Sequence, residues 1–219
     1  SPHARCIAPD LIGMGKSDKP NLKYRFSDHS LYIESFIEKM GLTKVTLVIH
    51  DWGSALGFHY AMRHESNVKG IAFMEALLRP MHWSEFPKAE SMGFKLFRTP
   101  VVGWLMISVM NMFLNKLVPD MIVRQLSKEE TDYYHAPFKT IKSRKPIRQW
   151  PREIPIDERP ADVHEIIKNY SKRLQQSQIP KILFYAKPGA IITGETVAWC
   201  RENFPNLDLA SIGKGRHYI

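Results

Sequence analysis

The chain has 219 residues, of which 44% are hydrophobic and 24% are charged. These proportions are typical of globular proteins and argue against a disordered, collagen-like or coiled-coil chain. The two cysteines, Cys6 and Cys200, are too few for a disulfide scaffold and lack the paired spacing of a zinc site. The length therefore predicts one substantial hydrophobic core, with or without an inserted subdomain.

The formal net charge is +9, and one short stretch carries six basic side chains: Lys139, Lys142, Arg144, Lys145, Arg148 and Arg152. Such a stretch is chemically able to follow phosphates. No nucleic-acid-binding motif accompanies it, so we predict a solvated basic surface and no nucleic-acid partner.

The most apolar run, residues 101–118, reads "VVGWLMISVMNMFLNKLV". It is interrupted by Ser108, Asn111, Asn115 and Lys116, and its uninterrupted part is well short of the ~20 residues of a membrane span. We predict a buried or pocket-lining helix and no membrane partner. The first residues lack an initiator Met and a signal-peptide pattern, which predicts a cytoplasmic protein and a chain that begins inside a longer one.

Predicted secondary structure begins with a strand at Arg5–Ala8, followed by the turn "PDLIGMGKSDKP". The letters GMGKS within that turn suggest a phosphate-binding loop, but such a loop needs a glycine where this chain has Asp10. We therefore reject a nucleotide site. A helix follows, capped by Ser27 or Asp28 and ended by Gly41, with its apolar positions largely on one stripe.

Strands then alternate with helices along the chain. The predicted strands are Val45–Ile49, Lys69–Met74, Lys181–Ala186 and Leu207–Ile212, and the predicted helices are Ser54–His64 and Thr193–Asn203. Between residues 78 and 178, aromatic and Met-rich helical stretches alternate with proline-containing loops, which predicts an inserted helical cap. Apolar strands that alternate with helices predict a parallel sheet covered on both faces.

Three reactive side chains follow predicted strands: Asp51, Glu75 and His217. Ligands bind at the carboxyl ends of parallel strands, and the order of nucleophile, acid and histidine is that of a hydrolase triad. Around Asp51, Gly53 matches one small position of the usual turn, whereas Ile49 occupies the other. Taken singly, each residue has a non-catalytic interpretation: Asp51 as a helix cap, Glu75 as a solvated loop carboxylate and His217 as a surface histidine. Their joint placement favours a catalytic site.

Six segments together resemble the haloalkane dehalogenases: "PDLIGMGKSDKP", "VIHDWGSALGF", "GIAFMEA", "WPREIPI", "KPGAIITG" and "GRHYI". The resemblance runs in order over nearly the whole chain. It implies an α/β-hydrolase fold, with a mostly parallel sheet, helices on both faces and an inserted helical cap. It assigns residues 1–77 and 179–219 to the core and 78–178 to the cap. It also implies that N-terminal strands and C-terminal helices lie outside this sequence, which would leave a sheet edge exposed.

The resemblance implies a role for each site residue: nucleophile for Asp51, triad acid for Glu75, general base for His217, halide ligand for Trp52, and substrate contact for Phe97 and Phe113. A carboxylate is ionised at pH 7, so it can attack an alkyl carbon without a base. An indole N–H is a donor only, which suits a leaving halide. The implied enzyme is a monomer that acts on a small apolar halogenated substrate and water, through an ester on Asp51 and without a metal or organic cofactor.

Three other functions remain open from the sequence. Coelenterazine luciferases of the Renilla type are cofactor-independent monooxygenases that share the fold and the triad positions. Epoxide hydrolases share "HDWG" but carry the acid after a later strand, where this chain has "YAKPGA" without a carboxylate. A non-catalytic protein derived from the fold is the third. The family's second halide ligand and part of its oxyanion hole belong to a segment that precedes this sequence.

Overall fold

The computed structural model describes residues 4–86 and 88–218. Four strands form a parallel sheet in the order β1-β2-β3-β4, namely β1 Val45–His50, β2 Val68–Ala76, β3 Lys181–Pro188 and β4 Leu207–Gly215. All four were predicted, and the parallel arrangement is confirmed. Because the strands run the same way, their carboxyl ends lie at one edge of the sheet, where ligands bind in such folds.

The predicted strand at Arg5–Ala8 is wrong. These residues are exposed, and within residues 4–86 and 88–218 no strand or isolated bridge pairs with them. An apolar run becomes a strand only where a neighbour accepts and donates its backbone hydrogen bonds. The segment is therefore not part of the sheet.

The helices alternate with the strands and fill the region between β2 and β3. In chain order the α-helices are α1 Phe26–Lys39, α2 Asp51–Arg63, α3 Lys88–Arg98, α4 Pro100–Gly103, α5 Val118–Asp120, α6 Lys128–His135, α7 Lys145–Glu153, α8 Ala161–Leu174 and α9 Gly194–Asn203. Single 3₁₀ turns lie at Glu65–Asn67, Trp83–Glu85, Ala136–Phe138 and Lys142–Arg144, and π-helical segments at Trp104–Val109 and Phe113–Leu117.

Two predicted helix starts shift in the structure. Helix α1 begins at Phe26, and Asp28 caps it from the third helical position, where its carboxylate accepts the Arg25 backbone N–H at 2.9 Å. Helix α2 begins at Asp51 and not at Ser54, so the chain turns from strand to helix without a loop. The predicted end of α1 is confirmed, since Gly41 has a φ of 59° just beyond it.

The main hydrophobic core contains residues of β1, β2, β3, α2, α8 and α9. Helix α8 packs against α2, and the buried Tyr170 of α8 donates its hydroxyl hydrogen to the Leu77 carbonyl oxygen. Thus α8 contributes to the main core although it lies inside the range 78–178. The division of the chain at residue 178 stays a prediction.

A second apolar cluster lies in the helical region between β2 and β3, and its buried members are Phe97, Ile107, Leu114, Val118, Phe138 and Ile147. The apolar run at 101–118, predicted to be one helix, is broken in two, and Asn111 at the break has a φ of 55°. One face of the run is buried in the cluster. The other is open, since Val101 is 76% and Met110 54% exposed.

Over residues 4–86 and 88–218, no single helix is long and apolar enough to cross a membrane. The segments 100–109 and 113–120 reach the required length and composition only as a pair, and they are bent by 67°.

The basic stretch is only partly the solvated surface that was predicted. Lys139 and Lys142 are exposed. Arg144 instead donates to the backbone carbonyl oxygens of Phe138 and Ser108, both at 2.9 Å, and so joins two segments of the helical region between β2 and β3. Part of the positive charge therefore serves the packing of this region.

Helix α1 is tied to α7 by the buried carboxylate of Glu153. Arg25 Nε donates to Glu153 Oε1 at 2.6 Å, and the Phe26 backbone N–H donates to Oε2 at 2.9 Å. The same arginine donates from Nη2 to Asp162 at the start of α8, at 2.8 Å. One guanidinium thus links three helices.

Replacing Glu153 with Ala should lower the free energy of unfolding by about 2–3 kcal/mol, because the Phe26 N–H loses its acceptor and Arg25 its buried partner. Asp162→Asn is the matched control at the exposed end of the network and should cost less than about 1 kcal/mol. Urea unfolding followed by circular dichroism measures both. Equal losses in the two variants would contradict the assignment of Glu153 as the anchor.

Candidate active site

Asp51 lies at the sharp turn where β1 becomes α2. Its φ is 47°, in the left-handed region that Asp adopts more readily than most residues. The fully buried Ser54 ties this turn to the end of β2: its hydroxyl donates to the Asp51 carbonyl oxygen and accepts the Leu77 backbone N–H at 2.9 Å. The residue at the helix cap position is His50, so Asp51 is not simply the N-cap of α2.

Ile49 occupies a position before this turn that is usually small, and Gly57 of α2 makes room for it. A Cβ added at Gly57 would lie 2.7 Å from Ile49 Cγ2, whereas one added at Gly53 would meet no atom within 4 Å. The close approach of strand and helix therefore depends on Gly57. This is the physical reason why a large residue is tolerated two positions before Asp51.

Glu75 lies near the end of β2 and is 1% exposed. Its carboxylate accepts three backbone N–H groups of the loop after β3: those of Ala190 at 3.1 Å, Ile191 at 2.7 Å and Ile192 at 3.3 Å. A buried carboxylate is costly unless it is hydrogen-bonded, and backbone donors supply that stabilisation without adding charge. The alternative of a solvated loop carboxylate is therefore wrong.

Gly189 shapes the loop that holds Glu75. Its φ is 72°, and an added Cβ would lie 2.3 Å from the Ile192 carbonyl oxygen and 3.0 Å from Glu75 Oε1. Only a residue without a side chain allows the loop to close this tightly around the carboxylate.

His217 follows β4 and lies between the two carboxylates. Its Nε2 is 3.5 Å from Asp51 Oδ1, and its Nδ1 is 3.4 Å from Glu75 Oε2. The side chain of His217 is only 12% exposed. The structure therefore brings the three predicted triad residues together, and His217 is not an ordinary surface histidine.

The opposite charges at this site stabilise the ionised forms of His217 and Asp51. Burial alone would lower the pKa of His217, but its contacts with Asp51 and Glu75 raise it to about 9. For Asp51, burial favours the neutral form, yet the hydrogen bond and charge of His217 outweigh it and leave the pKa below its ordinary value. At pH 7 the site thus holds a carboxylate at Asp51 next to an imidazolium.

Trp52 is 5% exposed and packs in the main core. Its ring stacks on Trp150 of α7, with centroids 4.6 Å apart and planes 27° apart, and lies near Phe26 at 6.0 Å. Within the described part of the chain, no acceptor is bonded to the Trp52 indole N–H. Trp150 was not predicted, because its contact with Trp52 joins segments far apart in sequence.

Phe97 and Phe113 both belong to the second apolar cluster, Phe97 as a buried member and Phe113 packed against it. Tyr218, the neighbour of His217, packs against the same cluster. The two phenylalanines thus share an apolar region with the segment that carries the histidine. Their contact with a substrate stays a prediction.

His50 and Tyr218 complete the surroundings of His217. His50 Nε2 lies 2.8 Å from the His217 carbonyl oxygen, and the two imidazole rings are 4.7 Å apart. The Tyr218 ring meets that of His217 edge-on at 4.8 Å. Sequence reasoning assigned neither residue a role, although each adjoins a predicted triad member. Their positions next to Asp51 and His217 in the sequence were the signal that could have identified them.

Among the side chains of the described residues, no group of three or more His, Cys, Asp and Glu is arranged to hold a metal ion.

Comparison with known proteins places the chain in a family. Residues 1–118 match the family described as alpha/beta hydrolase fold. A haloalkane dehalogenase of Mesorhizobium japonicum is 43% identical over 100% of this chain and 72% of its own length, and one of Sphingobium indicum is 41% identical over 98% and 74%. The chain belongs to the haloalkane dehalogenase family of α/β hydrolases.

Solved structures of the dehalogenase family agree with this fold. The crystal structure of a haloalkane dehalogenase from Bradyrhizobium elkani matches with a TM-score of 0.94 and 42% identity, over 97% of this chain and 74% of that one. A haloalkane dehalogenase from Agrobacterium tumefaciens matches with a TM-score of 0.89 and 32% identity, over 95% and 72%. The predicted fold class, a parallel sheet with helices in an α/β-hydrolase arrangement, is confirmed.

Gly189→Ala should lower the free energy of unfolding by about 1–3 kcal/mol more than Gly213→Ala. Both glycines have positive φ, but an added Cβ at Gly213 meets nothing within 4 Å, whereas at Gly189 it strikes the loop around Glu75. Urea unfolding of the two variants measures the difference. Equal losses would mean that only the backbone conformation, and not the tight loop, requires glycine at position 189.

Asp51→Asn should lower the pKa of His217 from about 9, because the variant removes one of the two negative charges that raise it. Proton NMR of the imidazole Cε1–H across pH 5–10 measures this pKa, with the resonance assigned from a His217→Gln variant. Asp208→Asn, on an exposed carboxylate of β4, is the control and should leave the pKa unchanged. An unchanged pKa in Asp51→Asn would contradict the charge coupling.

Proposed function

We propose that this chain catalyses the reaction for which its relatives are named: hydrolysis of a carbon–halogen bond to an alcohol, a halide ion and a proton. One observation carries the proposal. The two nitrogens of His217 face Asp51 at 3.5 Å and Glu75 at 3.4 Å, so a nucleophile, a base and a buried acid form a single array. The sequence identity to haloalkane dehalogenases supports the same reaction.

In the first step Asp51 acts as the nucleophile. A carboxylate oxygen attacks the carbon that bears the halogen, a carbon–oxygen bond forms, and the carbon–halogen bond breaks with its electron pair leaving on the halide. The low pKa of Asp51 keeps the carboxylate ionised for this attack. The indole N–H of Trp52, the residue after the nucleophile, is the proposed donor to the departing halide.

The ester formed in the first step prepares the base for the second. While Asp51 is ionised, its charge helps to hold the pKa of His217 at about 9, and the imidazole is protonated. Esterification removes that charge, so the pKa of His217 falls and the imidazolium releases a proton to solvent. The base thus becomes neutral only after the covalent intermediate exists.

In the second step His217 accepts a proton from water as the water oxygen attacks the ester carbonyl carbon. The carbon–oxygen bond between that carbonyl and the alkoxide breaks, and the alkoxide takes the second proton of the water, now on the oxygen added to the carbonyl carbon, and leaves as the alcohol. Asp51 regains its carboxylate and His217 its proton, so one proton per turnover goes to solvent with the halide. Glu75 orients the imidazole through Nδ1 throughout.

The substrate side of the site is proposed to be apolar. Phe97, Phe113 and Tyr218 share the second cluster beside His217, which suits a small halogenated alkane with few polar groups. We assign this pocket to a cap formed by residues 78–178. The monomeric state and the cytoplasmic location also stay predictions from the sequence.

Asp51→Asn should reduce halide release from a short bromoalkane by about 1,000-fold or more, since an amide cannot replace the nucleophilic carboxylate. Asp208→Asn is the matched control and should retain the rate. Bromide release by the whole product of the gene that carries this sequence is measured, with folding checked by circular dichroism.

Two results would overturn the proposal. Retained release in Asp51→Asn would remove Asp51 as the nucleophile. Absence of release from a folded parent protein would favour the light-emitting oxygenation of an imidazopyrazinone, or a fold kept without catalysis, and luminescence with coelenterazine separates those two.

A further inference from the structure

His50 holds a place that the proposed mechanism does not use. It is the last residue of β1 and directly precedes Asp51, and its ring lies against that of His217 with centroids 4.7 Å apart. Its Nε2 is 2.8 Å from the backbone carbonyl oxygen of His217. A carbonyl oxygen only accepts, so Nε2 carries the hydrogen and His50 donates.

This hydrogen bond joins the end of β1 to the segment after β4, two strands that are not neighbours in the sheet. The strand order is β1-β2-β3-β4, so the strand that carries the nucleophile and the strand that leads to the base are at opposite ends of the sheet. Strand β4 ends at Gly215, two residues before His217. The position of His217 relative to Asp51 therefore depends on contacts made after the sheet ends.

Those contacts come from two sides. The Tyr218 backbone N–H donates to the Met121 carbonyl oxygen at 3.2 Å, and Arg216 donates to the Asp120 carbonyl oxygen, so the helical region between β2 and β3 holds the residues on either side of His217. From the core, His50 bonds the backbone of His217 itself. It is the contact that ties the main chain of the base to the strand of the nucleophile.

We propose that His50 is a positioning residue that holds His217 in register with Asp51 and Glu75 for the water-activation step. The proposal rests on the proposed function above. It predicts an effect confined to one step, because the displacement by Asp51 needs no base, whereas ester hydrolysis needs His217 at the correct place. Burial and the neighbouring His217 also lower the pKa of His50, so a neutral ring, and not a second cation, lies beside the imidazolium.

Two variants separate positioning from packing. His50→Phe keeps an aromatic ring but has no donor, and His50→Gln keeps an N–H donor without the ring. Rapid-quench measurement of bromide release from a short bromoalkane gives the rate of the first turnover and the steady-state rate, and intact-protein mass spectrometry detects the alkyl ester on Asp51. The protein used is the whole gene product.

In His50→Phe we expect a burst of about one bromide per protein at a rate within about threefold of the parent, followed by a steady state at least tenfold slower, with the alkyl adduct accumulating. His50→Gln should restore the steady state to within a few-fold. Three results would each overturn the proposal. They are equal slowing of both steps in His50→Phe, no slowing of either step, and a His50→Gln variant as slow as His50→Phe.

The pKa of His217, measured by NMR without substrate, tests the proposal whether or not the chain releases halide. Loss of the His50 bond should let His217 move away from its two carboxylates, so its pKa should fall from about 9 in His50→Phe and stay near that value in His50→Gln. An unchanged pKa in His50→Phe would overturn the positioning role. A parent protein without any bromide burst would instead count against the proposed function alone.

Discussion

The site depends on one buried charge, the carboxylate of Glu75, and on the three backbone N–H groups of Ala190, Ile191 and Ile192 that bind it. These bonds cross from the end of β2 to the loop after β3, and the carboxylate in turn faces His217 beyond β4. Without such donors a carboxylate that is 1% exposed would be costly to bury. The same interaction thus stabilises the loop after β3 and fixes the Glu75 carboxylate next to His217 Nδ1.

The balance of charge around His217 bears on the two steps of the proposed reaction. The ring lies between two carboxylates that raise its pKa to about 9, so at pH 7 it is a cation that stabilises their negative charges. A permanently charged imidazole could not act as a base. In the proposed mechanism, conversion of Asp51 to a neutral ester removes one of the two negative charges beside the ring, so the pKa of His217 falls and the imidazole becomes able to act as a base after the first step.

The sequence was sufficient to place Asp51, Glu75 and His217 together and to predict most of the sheet, because strand ends in a parallel sheet converge and each of these residues lies near or just beyond the end of an apolar strand. It failed at Arg5–Ala8, where strand formation depends on a neighbour that the local pattern does not contain. The donors to Glu75 are backbone groups and so have no residue-type signal. Gly189 is the residue of this loop whose type is constrained, because an added Cβ would lie 2.3 Å from the Ile192 carbonyl oxygen. That constraint is recognisable only from the three-dimensional structure.

The location of His217 also shows why the sheet and the helical region between β2 and β3 cannot be treated as independent. The residues on either side of it bond carbonyl oxygens at Asp120 and Met121, which belong to the helical region, while its own carbonyl oxygen accepts from His50 at the end of β1. A displacement of the helical region relative to the sheet would therefore act on His217 through the first two bonds, and the bond from His50 would oppose it. In the proposed mechanism, this link from β1 is what would keep the distance between Asp51 and His217 constant.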